Sequence, residues 1–211
     1  LNIALFQADY DDIQKLALEE CEVNIDTCPS GRIQRLINAA KATIEGIEIE
    51  TRINITDQFS IQGSLGYTDA GFDEFLGFDA DGVRGYDPVT DPAAAAALKF
   101  ERVPELTYNI MANYFQPLSN GAEIDFRLAY SYTDDFTNDA LGTRAIITDS
   151  YGLLDASVSY TFAGSGLKLT VFGKNITDED YHDFALDNAL TSLTWGGVPD
   201  TYGLRLTYSF E

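Results

Sequence analysis

Side chains of alternating polarity recur along this chain in long runs, and that recurrence is what most limits the folds open to it. The closing stretch shows it plainly: Leu204, Leu206, Tyr208 and Phe210 alternate with Arg205, Thr207 and Ser209. Residues two apart on a strand share a face, so such a stretch is a ribbon with one apolar side and one polar side. In the same way Phe59, Ile61, Leu65 and Tyr67 oppose Ser60, Gln62, Ser64 and Thr68. Leu106, Tyr108, Ile110 and Tyr114 oppose Thr107, Asn109, Met111 and Asn113, and Ile124, Phe126, Leu128, Tyr130 and Tyr132 oppose Glu123, Asp125, Arg127 and Ser131. Leu154, Val158, Tyr160 and Phe162 oppose Asp155, Ser157, Ser159 and Thr161. Eight strands are expected, near residues 1–16, 36–55, 59–72, 103–115, 123–134, 150–162, 167–177 and 201–210. The first carries apolar residues at both parities, and the second alternates only in its later half, with Ile47, Ile49, Ile53 and Ile55 against Glu48, Glu50, Arg52 and Asn54.

The connections sort into two kinds. Residues 56–58, 117–122 and 163–166 are short and rich in Pro, Gly, Asn, Asp and Ser, the residues of tight turns. They alternate with long polar segments at 17–35, 73–102, 135–149 and 178–200. Short turns at one end and long loops at the other, on strands long enough for a tilted crossing, are the pattern of an antiparallel transmembrane β-barrel. Aromatic residues near strand ends (Tyr10, Tyr67, Phe72, Phe115, Tyr132, Phe162, Tyr208 and Phe210) are expected to form interfacial girdles. Glu48, Glu50, Arg52, Asp125, Arg127, Asp155, Lys168 and Arg205 are expected on the inner face.

Composition removes several function classes. With 34 acidic against 13 basic residues the formal charge is −21, which disfavours nucleic acid as a partner. Such a charge would suit a disordered chain, but 45% hydrophobic and 12% aromatic residues supply ample apolar surface to bury. No apolar run approaches the length of a membrane helix. The chain opens on Leu1-Asn-Ile-Ala-Leu-Phe6, the middle of a strand, with no initiator Met and no signal-peptide core, so a piece of a longer protein is expected. Cys21 and Cys28, spaced C-x6-C in a polar segment, lack further metal ligands nearby; a loop-stapling disulfide is expected, with two free thiols as the alternative.

The segment Leu169-Thr-Val-Phe-Gly-Lys-Asn-Ile-Thr-Asp-Glu-Asp-Tyr181 resembles the penultimate strand of TonB-dependent outer-membrane receptors, with Asn175, Ile176, Asp178 and Tyr181 at the positions of their N-L-x-D-x-x-Y run. Residues 201–210 resemble their last strand, and residues 1–14, 38–50 and 65–70 are similar to earlier ones. The resemblance implies that residues 1–211 are the C-terminal portion of a receptor barrel of about 22 strands whose N-terminal plug is absent from this chain. It also implies an address in the outer membrane of a Gram-negative bacterium, with outer-membrane lipid around the wall. The remaining partners it implies are the missing plug and strands, the TonB energy-transducing complex acting through that plug, and a scarce small-molecule ligand of siderophore, cobalamin or oligosaccharide type. On this orientation the short turns face the periplasm and the long loops face outward.

No enzyme constellation is present: His182 is the single histidine, and no G-x-S-x-G elbow precedes any Ser. No cofactor is expected and no metal site; Asp79-Ala-Asp81-Gly82 lacks the remaining ligands of a calcium loop. Ligand contacts are expected on the long loops, from Phe75, Phe78, Arg84 and Tyr86 in the third-to-fourth connection and from Trp195 in the last. Two other architectures stay open from the residues alone. A self-contained eight-stranded barrel with a structural or adhesion role would pair its first and last strands, and a soluble β-sandwich would cover its apolar rows.

Overall fold

The computed structural model describes residues 1–20, 22–24, 32–75, 98–138, 147–188 and 191–210. The main sheet holds β1 (Asn2–Glu20), β2 (Arg32–Asn54), β3 (Phe59–Phe75), β4 (Leu106–Pro117), β5 (Glu123–Thr133), β8 (Tyr151–Thr161), β9 (Leu167–Lys174) and β12 (Thr201–Tyr208). They lie in the order β1-β2-β3-β4-β5-β8-β9-β12, each antiparallel to its neighbours. β1 and β12 are opposite edges, and no ladder joins them, so the sheet is open. The eight expected strands are all present. β1 and β2 run further than expected, paired to Glu20↔Arg32, which takes in much of the segment expected to be a loop. Two short ribbons add to the count: β6 (Phe136–Thr137) with β7 (Ile147–Thr148), and β10 (His182–Asn188) with β11 (Thr191–Gly196). Both fall where loops without strands were expected.

The turns explain the register. Between β2 and β3 the Thr56 hydroxyl accepts from the N–H groups of Gln58 and Phe59, while Ile55 N–H donates to the Phe59 carbonyl. Between β4 and β5, Gly121 takes φ +81°, which residues bearing a Cβ rarely adopt, and the Asn120 side chain accepts from Ala122 N–H. Between β8 and β9 the Ser165 hydroxyl donates to the Phe162 carbonyl. A turn thus fixes which residues face each other, and one face then stays in phase across the sheet.

That face is apolar. Ile61, Ile110, Leu128, Val158, Val171 and Leu204 stand on it, the last five each at least 42% exposed, and none of the described residues packs over them. An uncovered apolar face of this width rules out the β-sandwich and demands an apolar solvent. Aromatic rows bound the aliphatic residues. At the turn end stand Phe59, Tyr114 and Phe126, then Tyr160 with Phe162 and Tyr208 with Phe210; at the other end stand Tyr67, Tyr108 and Tyr132. From Phe59 to Tyr67 the strand covers about 26 Å, a crossing of about 20 Å once tilted as barrel strands are. Three of the expected girdle residues are not in it. Tyr10, Phe72 and Phe115 share the opposite parity, with Ala42, Ala42 and Asp125 as their respective cross-strand partners.

The other face is polar and carries all eight charged residues expected there, because Glu48, Glu50, Arg52, Asp125, Arg127, Asp155, Lys168 and Arg205 share its parity through the registers. Arg127 Nε donates to Asn113 Oδ1 at 3.1 Å across β4–β5, and the Ser159 and Thr170 hydroxyls bond at 2.8 Å across β8–β9. Two aromatics of this face cover glycines on the neighbouring strand, Phe6 over Gly46 and Phe172 over Gly203. A Cβ at Gly203 would come within 2.5 Å of the Phe172 ring, so the strand leaves room there for the ring to lie flat.

On β1, β2 and β3 the polarity of the faces exchanges part way up. The apolar-face rows run Ile3–Ile49–Leu65 and Leu5–Ile47–Tyr67, then turn polar as Gln7–Glu45–Asp69 and Asp9–Thr43–Gly71. On the opposite face Ala4–Glu48–Gly66 is followed by Phe6–Gly46–Thr68, Ala8–Ile44–Ala70 and Tyr10–Ala42–Phe72. Above the exchange the inner face carries a dry cluster: Ala42, Phe72 and Leu98 are buried together with Ile13 and Phe100 against them. The Phe72 and Phe100 rings stack at 4.2 Å. The outer face there is wet, with the Thr43 hydroxyl donating to Asp73 Oδ2 at 2.8 Å and Lys41 paired to Glu74 at 3.0 Å.

Candidate functional site

The loop end of the sheet gathers three of the long connections. It starts where β9 stops. Asn175 takes φ +47°, a conformation Asn tolerates better than most residues, and this turns the chain out of the strand after Lys174. Its side chain then holds the loop: Nδ2 donates to the carbonyls of Glu179 at 2.9 Å and Val198 at 3.2 Å, while Oδ1 accepts from Glu179 N–H at 2.9 Å. Its own N–H donates to Asp155 Oδ1. A carboxamide both donates and accepts, so neither Asp nor Gly could make this set of bonds. Tyr181 completes the knot, stacking on Tyr151 at 4.3 Å, accepting from Gly197 N–H through its carbonyl and from Val198 N–H through its phenol oxygen. The Asn and Tyr of the motif noted in the sequence, Asn175 and Tyr181, are therefore a structural clasp at the base of the β10–β11 ribbon.

Above the clasp Phe184 on β10 and Trp195 on β11 are directly paired, their rings 5.2 Å apart. Trp195 is 51% exposed. Arg102 approaches from the segment before β4: its guanidinium lies 5.3 Å from the Phe184 ring and donates from Nη2 to the Asp183 carbonyl at 3.3 Å. Its backbone N–H donates to the Thr137 carbonyl on β6. Phe136, Thr137 and Thr148 are buried under this junction, with Asn138 Nδ2 donating to the Thr148 hydroxyl. The arrangement offers two aromatic faces and a cation at a solvent-facing rim, which suits stacking on a flat group and pairing with anionic oxygens.

On β2, above the apolar band, Lys41 is held above the ordinary lysine pKa first by its hydrogen bond to Glu74 and then by that carboxylate's charge. Among the described residues no group of three or more His, Cys, Asp and Glu could hold a metal ion.

Of the ligand contacts expected from sequence, Trp195 stands at this rim. Phe75 is the last residue of β3, opposite Ala40, with its side chain outside the described residues. Phe78, Arg84 and Tyr86 lie outside the described residues, as do Cys21 and Cys28. Phe184 and Arg102 were not singled out. Phe184 was legible, since Phe184 and Leu186 alternate with Asp183, Ala185 and Asp187. Arg102 meets Asp183 across 81 residues of chain, a contact no local pattern signals.

An antiparallel wall that is apolar without, charged within and crowned by packed loops at one end defines part of an outer-membrane β-barrel. The chain belongs to the TonB-dependent receptor-like β-barrel family, whose model matches residues 1–176. It is accordingly an outer-membrane protein, in a family of receptors rather than enzymes. It is similar in structure to the ferric yersiniabactin uptake receptor FyuA from Yersinia pestis, with a TM-score of 0.73 and 19% identity over 99% of this chain and 27% of that one. It is also similar to the siderophore receptor PiuA from Acinetobacter baumannii, with a TM-score of 0.68 and 15% identity over 97% of this chain and 25% of that one. The copper transporter OprC gives a TM-score of 0.65 and 14% identity over 99% of this chain and 28% of that one. The chain therefore spans about a quarter of the length of these structures, and at such identities they speak for the fold.

Proposed function

We propose that residues 1–211 form the C-terminal eight strands of a larger TonB-dependent receptor barrel of about 22 strands, completed by a plug and further strands. The open sheet carries this reading: β1 and β12 are its two edges, while one face is apolar from edge to edge. A self-contained eight-stranded barrel would need those edges paired. In the complete receptor the turn end faces the periplasm and the loop end faces outward. The function is energy-coupled uptake of a scarce ligand, with the plug passing the action of the TonB complex to the site.

Of the siderophore, cobalamin and oligosaccharide types, the rim of Arg102, Phe184 and Trp195 favours a ferric siderophore, whose anionic oxygens and flat groups suit a guanidinium beside two rings. A ferric yersiniabactin uptake receptor and a siderophore receptor also stand among the similar structures. Phe75, Phe78, Arg84 and Tyr86 belong to the same proposal as further contacts from the third-to-fourth connection.

The test is uptake and surface binding of radiolabelled ferric siderophores, cobalamin and oligosaccharides by cells carrying the intact receptor. One ligand class should bind, and its accumulation, but not its surface binding, should vanish without TonB. Trp195→Ala should weaken that binding about tenfold or more, as loss of a well-packed aromatic contact does. Accumulation that persists without TonB contradicts the energy coupling, and binding unchanged in Trp195→Ala removes the rim from the site.

A further inference from the structure

The geometry points to Arg102 as the positioning residue of the loop end, one side chain that fixes where the Phe184–Trp195 pair stands. Arg102 has φ +60°, in the left-handed region where residues with a Cβ are strained. That conformation lets the two ends of one residue serve different neighbours. The N–H donates to the Thr137 carbonyl at 2.8 Å, in the β6–β7 ribbon. The guanidinium reaches the other way, to the Asp183 carbonyl at 3.3 Å and over the Phe184 ring at 5.3 Å.

The residues just before Arg102 are anchored from below. Lys99 bridges Gly71 of β3, and Phe100 stacks on Phe72 in the buried cluster above the membrane band. Arg102 therefore stands on a packed base that belongs to β3 and braces a ribbon that belongs to β9 and β12. Among the described residues the ribbon is held by the Asn175–Tyr181 clasp at its root, by Arg102 on its flank and by the packing of β10 against β7. The clasp fixes where the ribbon leaves the sheet, and the flank contact fixes its lean. The functional meaning of that lean rests on the ligand-facing reading of the rim, whereas the brace itself does not.

Hydrogen exchange on the intact receptor in outer-membrane vesicles, without any ligand, tests the brace. Arg102→Gly is the informative variant, because glycine accepts φ +60° and keeps the N–H bond to Thr137 while losing the side chain. Amides of 182–188 and 191–196 should exchange roughly five- to tenfold faster, the order expected when a cation–π contact and a charged hydrogen bond are lost. Amides of β12 and of residues 136–138 should keep their rates. Arg102→Lys, which returns a cation toward the ring, should recover part of the protection. Combining Arg102→Gly with Phe184→Leu should accelerate exchange by less than the two effects combined, since both remove the cation–π contact while each also loses one of its own, to the Asp183 carbonyl and to Trp195. Unchanged exchange in the ribbon, acceleration that spreads to β12, or fully additive effects of the two substitutions would each overturn the proposal. The ligand-facing reading fails separately, in the uptake and binding experiment.

Discussion

Within β1–β3 the same three strands pass through two environments, and their side chains change sides between the Tyr67 and Asp69 rows, where the pairing register is unbroken. Below Tyr67 the outer face is Ile3, Ile49 and Leu65 and the inner face is Glu50, Arg52 and Gln62. Above it the outer face is Asp9, Glu45, Asp69 and Asp73, and the inner face buries Ala42 and Phe72 against Leu98 and Phe100. The pleat supplies two faces and is indifferent to which is greasy. What decides is the medium beyond each face: lipid and a hydrated lumen in the band, water and a packed loop above it. The upper part is thus a small water-soluble sheet with its own core, grown directly out of a membrane wall.

The comparison can be broken by substitutions placed on either side of it. The largest expected effect lies above the band. Phe72→Ala removes a buried ring and its stacking on Phe100, and the opening free energy of residues 98–102 and the tops of β2 and β3 should fall by about 3–5 kcal/mol, read by hydrogen exchange while the rates in β8 and β9 hold. Ile110→Arg, in the middle of the lipid-facing band, should cost about 2–4 kcal/mol of folding stability in bilayers, followed by denaturant titration. Asn175→Ala should cost about 1–3 kcal/mol because its three side-chain bonds leave partners unsatisfied, seen as loosening of 176–181 and 197–200. The smallest effect sharpens the boundary: Asp69→Arg, two residues above the last apolar row, should shift the same bilayer titration by no more than about 0.5 kcal/mol. A large penalty at Asp69 would place lipid higher on the wall than the exchange of faces does.

Much of this was legible before the structure. Alternation in 59–67, 106–114, 123–132 and 154–162 gave both the strands and their faces, because a strand with lipid on one side and water on the other leaves no freedom of phase. The exchange of faces was also written in residues 65–73, where the apolar residues move from Leu65 and Tyr67 to Ala70 and Phe72. Phe72 was placed in the girdle by its nearness to a strand end, where its parity would have put it inside. The β10–β11 ribbon went unseen for a related reason: it lies in a segment classed as loop by length and acidity, although Phe184, Leu186, Leu193 and Trp195 fall on one face. The site itself was half legible. Trp195 was legible as an aromatic in a long loop, whereas Arg102 gains its place from a left-handed backbone and a partner far along the chain.

The most direct measurement of the central claim is a spin-label accessibility scan along β3 in the bilayer-embedded receptor, one site at a time from 59 to 75, in a Cys21→Ser, Cys28→Ser background. Labels at 61, 65 and 67 should collide with oxygen dissolved in lipid, and labels at 60, 62 and 64 with a water-soluble nickel chelate. At 69 and 73 the lipid signal should give way to the chelate, and at 72 both should be low. If odd-numbered sites stay lipid-exposed through 73, or if 72 is open to either reagent, the two-environment account of this wall is wrong.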